Sequence, residues 1–411
     1  MLGIDPKQVR VLDTVEEEVE GQLRLVVRVR PKAGLQSRCG RCRARCPGYD
    51  RGRLRRWRAM DFGRTVVEIS AAVPRVRCPQ HGVVMAGVPW ARHGARHTHA
   101  FEATAAWCAV EMSGSATARL LRCSWRTVGA MVVRVSADLQ AAAGGDGLDG
   151  LTRIGIDEIS YRRGHNYVVV VVDHQRRRLV WAQPGRDQAT VEAFFDALGE
   201  RVNALTHISS DSAAWIARAV AARAAHVVHC ADPFHVVRWA GDALDLIRRR
   251  IWNQVRTRQI RGRPATGEGK AMKRALWALR KNPDNWTENQ AASMAWIAAT
   301  HPALHRGWQL KEALRAVFAD HGHTGLAALD RWLGWARRSR LPEFVDLARR
   351  ITTHRDTIDA TLLTGLTNAL TESVNTKIRL ITRRAYGFKN VDALIALARL
   401  SLGAYKPALP T

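Results

Sequence analysis

Nowhere does this chain of 411 residues run to about 18 consecutive apolar residues, and its start, Met1 to Glu20, is charged rather than apolar. The first absence excludes a membrane-spanning helix, and the second argues against a secretory leader. Cysteine is scarce. Seven residues, four of them between Cys39 and Cys78, do not make a secreted disulfide scaffold, so a reducing cytoplasm is expected. No internal repeat is present. Acidic residues are also few, 37 against 64 Lys and Arg, which leaves a formal charge of +27. Such an excess calls for a polyanionic partner, and nucleic acid is the first candidate. Codon bias toward Arg and Ala is the competing origin of the charge.

What is there divides into several domains. Residues 8–31 alternate apolar and polar as strand, a basic cysteine-bearing segment follows, and Arg64 to Val76 reads as strand again. From Phe101 the pattern turns helical. Ala141 to Gly150, with four glycines, is the clearest linker. Beyond it come strands at 152–160, 166–173 and about 178–183, a helix at about 189–204, a short strand into Asp211, a helix at 213–224, a strand at 226–230 and a helix at 233–256. That β-β-β-α-β-α-β-α order is the one of a ribonuclease-H-like α/β core. Residues 257–350 look wholly helical and read as an all-α insertion in that core. Most of Trp277, Trp286, Trp296, Trp308, Trp332 and Trp335 are expected in its packing. The expected division is therefore a zinc-ribbon-like domain at 1–95, a helix-turn-helix at 96–140, a linker at 141–150 and the catalytic domain at 151–404.

Cys39-Gly-Arg-Cys42 and Cys78-Pro-Gln-His81 are two knuckles with two-residue spacers. Each spacer lets both side chains reach one ion, and four such ligands suit a single tetrahedral Zn²⁺. Cys46 is an alternative ligand. Cys108, Cys123 and Cys230 read as small core residues. Helices at 101–112, 115–122 and 124–140 have a helix-turn-helix layout, with Ser124 as N-cap of the third. That helix presents Arg126 and Thr127 for base contacts and Arg134 for a phosphate. An ordinary three-helix bundle is the plain alternative.

Three carboxylates carry the candidate chemistry. Asp157 ends Arg-Ile-Gly-Ile-Asp on the first strand of the core, Asp211 ends the fourth, and Glu372 lies on a late helix. Such a set can hold a pair of divalent cations for phosphoryl transfer. Asn375, Arg379 and Arg383 follow Glu372 at i+3, i+7 and i+11, on roughly one face, and with Lys377 would grip DNA phosphates. Glu158 and Asp173 compete for the same role. Strand alternation sends Glu158 to the face opposite Asp157.

The Cys/His ribbon, the helix-turn-helix, Gly155-Ile-Asp157-Glu158, Ser210-Asp211, Ala231-Asp232-Pro-Phe-His235 and the block from Glu372-Ser-Val-Asn375 to Phe388 resemble bacterial insertion-sequence transposases of the ISL-three family. The resemblance runs from about residue 35 to 402. It implies a triad of Asp157, Asp211 and Glu372 binding two Mg²⁺ or Mn²⁺ ions. Water attacks the transposon end, and the freed 3′-hydroxyl then attacks target DNA. It also implies terminal-repeat and target duplexes as partners and a homo-oligomer on DNA. Asp232 and His235 match a D-x-x-H signature placed where core and insertion meet. His81 stands where many relatives have cysteine. Two other functions compete: a catalytically inactive DNA-binding regulator, and a nuclease of RNA–DNA hybrids. A duplex reader beside the core argues against the hybrid nuclease.

Overall fold

A computed structural model describes residues 4–260 and 268–409, with side chains at 4–255 and 271–409. It divides into two compact units: Met1–Gly147 with Lys377–Thr411, and Leu148–Thr376. No described helix is long and apolar enough to cross a membrane.

The first unit opens with β1 (Val9–Val19) and β2 (Gln22–Pro31), then one turn of helix, α1 (Ala33–Gln36). Five strands follow: β3 (Gly48–Asp50), β4 (Leu54–Arg58), β5 (Val66–Ala72), β6 (Arg75–Cys78) and β7 (Gly82–Met85). They form a four-stranded sheet, β1-β2-β5-β4, and a three-stranded one, β3-β6-β7. The sequence predicts a ribbon with little core of its own. Here the alternating strands place Val27, Val29, Val67 and Ile69 in a core with Trp57 and Trp90, whose rings meet edge-to-face at 5.5 Å. Helices α2 (His99–Glu111), α3 (Gly114–Leu120) and α4 (Trp125–Ala142) follow, capped by the side chains of Thr98, Ser113 and Ser124.

The second unit is built on β8 (Arg153–Arg162), β9 (Asn166–Asp173), β10 (Arg178–Pro184), β11 (His207–Ser210) and β12 (Val228–Ala231). Helix α5 (Gln188–Leu198) precedes β11, and α6 (Ala214–Arg223) precedes β12, in the order the sequence predicts. The sheet order is β10-β9-β8-β11-β12. β8 is antiparallel to β9 and parallel to β11, and β11 is parallel to β12. The valine run of β9 is buried end to end because the sheet is covered on both faces.

Helices then run from α7 (Pro233–Ile260) through α8 (Glu268–Arg280), α9 (Glu288–Thr300), α10 (Pro302–Val317), α11 (Gly322–Arg338) and α12 (Pro342–Thr353) to α13 (Arg355–Thr364). The helical unit begins earlier and ends later than 257–350, since α7 itself walls its core with Val236, Leu244, Ile247 and Ile251. Trp332 is buried, and Trp286, Trp296 and Trp308 pack against that core. Trp277 and Trp335 are exposed, and the other four meet the expectation that most of these rings pack in the helical unit. The last helices are α14 (Ala369–Arg384) and α15 (Val391–Leu402).

One glycine sets how α14 meets the sheet. A Cβ on Gly155 would lie 2.2 Å from Thr371 Oγ1 and 2.9 Å from Asn368 Oδ1. Gly155 therefore lets the start of α14 press against β8 just before Asp157. Beside it, His174 Nε2 and Ser209 Oγ lie 2.8 Å apart, and Ser209 Oγ donates to Asn368 Oδ1 at 2.9 Å.

Candidate active site and metal centres

Asp157 stands on β8 just past the end of its pairing with β11, and Asp211 follows the last residue of β11. Both strands run in the same direction, so both carboxylates emerge at one end of the sheet. The pairing ends at Ser210 opposite Ile156. Asp157, Glu158 and Asp211 offer ligand oxygens within 4.8 Å of one another.

The presence of Glu158 corrects the reading from strand alternation. Beyond Ile156, β8 has a neighbour, β9, on one side only. The longer glutamate side chain reaches round that open edge to the same group. One of its oxygens accepts from Arg186 Nε at 3.1 Å, and the other is buried without a partner. Arg186 in turn lies over the Tyr167 ring, 4.5 Å from its centroid.

Crowding three carboxylates has an electrostatic cost. Burial, then the charges of Asp211 and Glu158, push Asp157 up to about 7. Burial also raises Glu158 and Asp211. Two donors resist this at Asp157: the Glu158 amide reaches Oδ1 at 2.8 Å, and Asn375 Nδ2 reaches Oδ2 at 2.8 Å. Oxygen-only donors that destabilise one another when ionised suit a hard divalent cation, which relieves that repulsion. The donor set therefore fits Mg²⁺ or Mn²⁺.

Asp232 and His235 lie at the start of α7. Asp232 accepts the Phe234 amide at 3.3 Å ahead of Pro233, an Asp-Pro helix start. His235 Nδ1 lies 2.7 Å from Asp232 Oδ2. That bond, outweighing burial, raises the His235 pKa with help from Asp211 and Asp157. Its positive charge in turn eases the ionisation of both aspartates.

Glu372 is half-buried in the first turn of α14 and lies outside the 4.8 Å group. Asn375, one turn on, is 2% exposed and bound to Asp157, so it is no part of an outward cationic stripe. At 3.6 residues per turn, steps of four and eight residues drift round the helix by about 40° and about 80°. Asn375 thus shares the buried face with Thr371, Val374 and Ile378, while Lys377, Arg379 and Arg383 are exposed.

In the first unit, Cys39, Cys42, Cys78 and His81 form a second group of ligand atoms within 4.8 Å. Cys42 Sγ and Cys78 Sγ are 3.7 Å apart, and His81 Nδ1 lies 3.5 Å from Cys78 Sγ and 3.8 Å from Cys39 Sγ. A tetrahedron with Zn–S of about 2.3 Å and Zn–N of about 2.0 Å has edges of roughly 3.5–3.8 Å, so the spacings fit zinc. Against burial, which raises it, the His81 side chain and the Gln80 and His81 amides hold the Cys78 thiol down at about 6, toward the thiolate such a site uses. Cys46 turns to the Ala44 carbonyl at 3.4 Å and stays outside the group.

Arg126 is exposed near the start of α4 and lies over the Trp125 ring, 5.2 Å from its centroid. Thr127 is half-buried, and Ser124 Oγ accepts the Arg126 amide at 3.3 Å. Arg134 departs from its expected phosphate role. Its guanidinium is engaged by the fully buried Glu102, which Arg92 also holds. A buried carboxylate needs such partners more than a solvated phosphate contact does.

A family model for ISL3 DDE elements, described as Transposase, matches residues 154–398, and one described as the helix-turn-helix domain of transposase family ISL3 matches residues 88–136. The transposase for insertion sequence element IS1557 of Mycobacterium tuberculosis (strain CDC 1551 / Oshkosh) is 50% identical over 427 aligned positions, covering 100% of this chain and 96% of that one. The transposase for insertion sequence element IS1001 of Bordetella parapertussis is 26% identical over 361, covering 86% of each. A Drosophila P element transposase strand transfer complex aligns over 73% of this chain and 90% of that one, at 11% identity and a TM-score of 0.35, too low to inform the fold.

Proposed function

The chain belongs to the ISL3 family of transposases, and from that premise we propose that it cleaves transposon ends and joins the freed 3′-hydroxyls to target DNA. One observation carries the chemistry: Asp157, buried on β8 where its parallel pairing with β11 ends, Asp211, part-buried just past β11, and Glu158 beside them bring their oxygens within 4.8 Å of one another, and burial raises all three. Divalent cations bound there supply activation of a water or hydroxyl and neutralisation of the leaving oxygen. Asp157 and Asp211 are the principal ligands, Glu158 adds a third carboxylate, and Glu372 completes the set from α14. His235, braced by Asp232, steadies the aspartates and orients the DNA end. We read the five-stranded sheet as a ribonuclease-H-like core, with the helices after α7 as its insertion.

In the same reading, Cys39, Cys42, Cys78 and His81 hold one structural Zn²⁺. Residues 96–140 read the terminal inverted repeat through Arg126 and Thr127. Lys377, Arg379 and Arg383 bind phosphates, and the protein acts as a homo-oligomer on DNA. The chain divides as 1–95, 96–140, a linker at 141–150 and 151–404. An inactive regulator is disfavoured, because such a protein has no use for a crowded, buried acidic cluster. A cleavage and strand-transfer assay on the element's own end sequences tests the proposal. Activity should require Mg²⁺ or Mn²⁺ and vanish in Asp157→Asn. Metal-independent activity, or an active Asp157→Asn, would refute it.

A further inference from the structure

Asn375 is almost fully buried, at 2% exposure, and has two different surroundings. Its Nδ2 donates to Asp157 Oδ2 at 2.8 Å. Its Oδ1 is buried and has no hydrogen-bond partner. With a cation bound, Asp157 is ionised and only accepts, so the amide turns its nitrogen to Asp157 and its oxygen faces elsewhere. A buried acceptor without a donor costs on the order of 1–3 kcal/mol. An arrangement that keeps such an atom beside the crowded aspartates is incomplete until a hydrogen donor arrives.

We propose that Asn375 is the positioning residue of the acidic cluster: Nδ2 fixes Asp157, and Oδ1 awaits the O–H of an entering water or hydroxyl. This inference rests on the divalent-cation reading of the site. With the Glu158 amide on Oδ1 and Asn375 on Oδ2, Asp157 is braced at both oxygens and cannot rotate. Each oxygen keeps a lone pair for a cation. Partners of this kind orient ligands and typically change metal affinity 10–100-fold when removed. The brace exists because Gly155 admits the start of α14 against β8, with Thr371 and Asn368 in the space a side chain would fill. Asn375 therefore acts on DNA chemistry through Asp157, without touching a phosphate.

The test is calorimetric titration of Mn²⁺ into the full-length, zinc-loaded protein, with wild type, Asp157→Asn and Asn375→Leu compared. Binding to mixed-sequence duplex DNA is measured across a salt series. Leucine matches asparagine in shape and leaves no orphaned polar atom, so the variant should melt as wild type. Should it not melt cooperatively, Asn375→Ala makes no demand on space and carries the same expectation. The expected result is a 10–100-fold weaker Mn²⁺ affinity with DNA affinity and salt slope unchanged. Unchanged Mn²⁺ affinity overturns the inference. A lower DNA affinity with a salt slope smaller by about one and unchanged Mn²⁺ binding overturns it too, and returns Asn375 to a phosphate contact. If wild type and Asp157→Asn bind Mn²⁺ equally, the cation site itself is wrong and the inference falls with it.

Discussion

The Cys/His group near the N-terminus and the acidic group of the sheet gather metal-binding side chains by opposite routes. Cys39 and Cys42, and Cys78 and His81, come in local pairs, each three positions apart with two residues between them. Asp157 and Asp211 are separated by 54 positions (211 − 157) and meet only because they stand where the parallel pairing of β8 and β11 ends. The first group offers four protein ligands and leaves no opening, the pattern of a structural ion. The second offers three crowded carboxylates, one with a buried unpartnered oxygen, and so fewer protein ligands than a closed site. A closed set should govern folding, whereas an open one should govern chemistry.

The largest effect should come from breaking the closed set. Cys78→Ser should reduce zinc from about one ion per chain to near none, by elemental analysis, and make the first β-sheets the earliest region cut by protease. If a zinc-free variant resisted protease as wild type does, the closed group would not be structural.

Breaking the open set should do the reverse. Asp157→Asn and Asp211→Asn should each lower cleavage by at least about a hundredfold, since a bound cation supplies several kcal/mol and each 1.4 kcal/mol is a factor of ten. Melting temperature should hold or rise, because a like charge is removed. A variant that lost stability and kept cleavage would invert the comparison.

How much of each group could be read from the chain follows from the same difference. A two-residue knuckle announces itself, because its spacing alone fixes geometry. Asp157 was readable on a strand after Ile-Gly-Ile and Asp211 at a strand end after Ile-Ser-Ser, and the alternating runs set the order of the core. Glu158 was not, because alternation gives the face from which a side chain leaves the strand and not how far a glutamate reaches. Asn375 was not, because helical spacing tells which residues share a face without telling which face is buried. The orphaned Oδ1 and the 2.2 Å clearance at Gly155 exist only once strand and helix are assembled. Arg134 misled for a related reason: its partner Glu102 lies 32 positions away, on another helix.

A smaller effect belongs to the DNA reader, which contains neither group. Arg126→Ala should reduce discrimination between the cognate end and a scrambled duplex by about 1–3 kcal/mol, measured by competition at fixed salt. An equal loss on both duplexes would make Arg126 a phosphate contact.

The smallest effect separates the groups by pH. In folded protein free of added divalent cation, burial and its neighbours hold Asp157 up at about 7, against an ordinary 3.8. Between those values the folded state keeps a proton that the unfolded chain has released. The group's contribution to stability is therefore fully present below the ordinary value and is lost as pH rises through about 7. The loss is on the order of 1 kcal/mol per pH unit over that window, a few degrees of melting temperature. Other groups titrate in the same range, so the measurement is the difference between wild type and Asp157→Asn, melted at pH 5.5 and 7.5. Asn at this position cannot ionise, so its profile should lack this slope. Saturating Mg²⁺ should flatten the wild-type slope, because the cation keeps the folded carboxylate ionised, as it already is in the unfolded chain. The zinc-loaded Cys/His group, closed to solvent ions, should contribute equally to both proteins and cancel. A wild-type slope that survived Asp157→Asn unchanged would place the titrating group elsewhere and leave the crowding of the acidic cluster without energetic consequence.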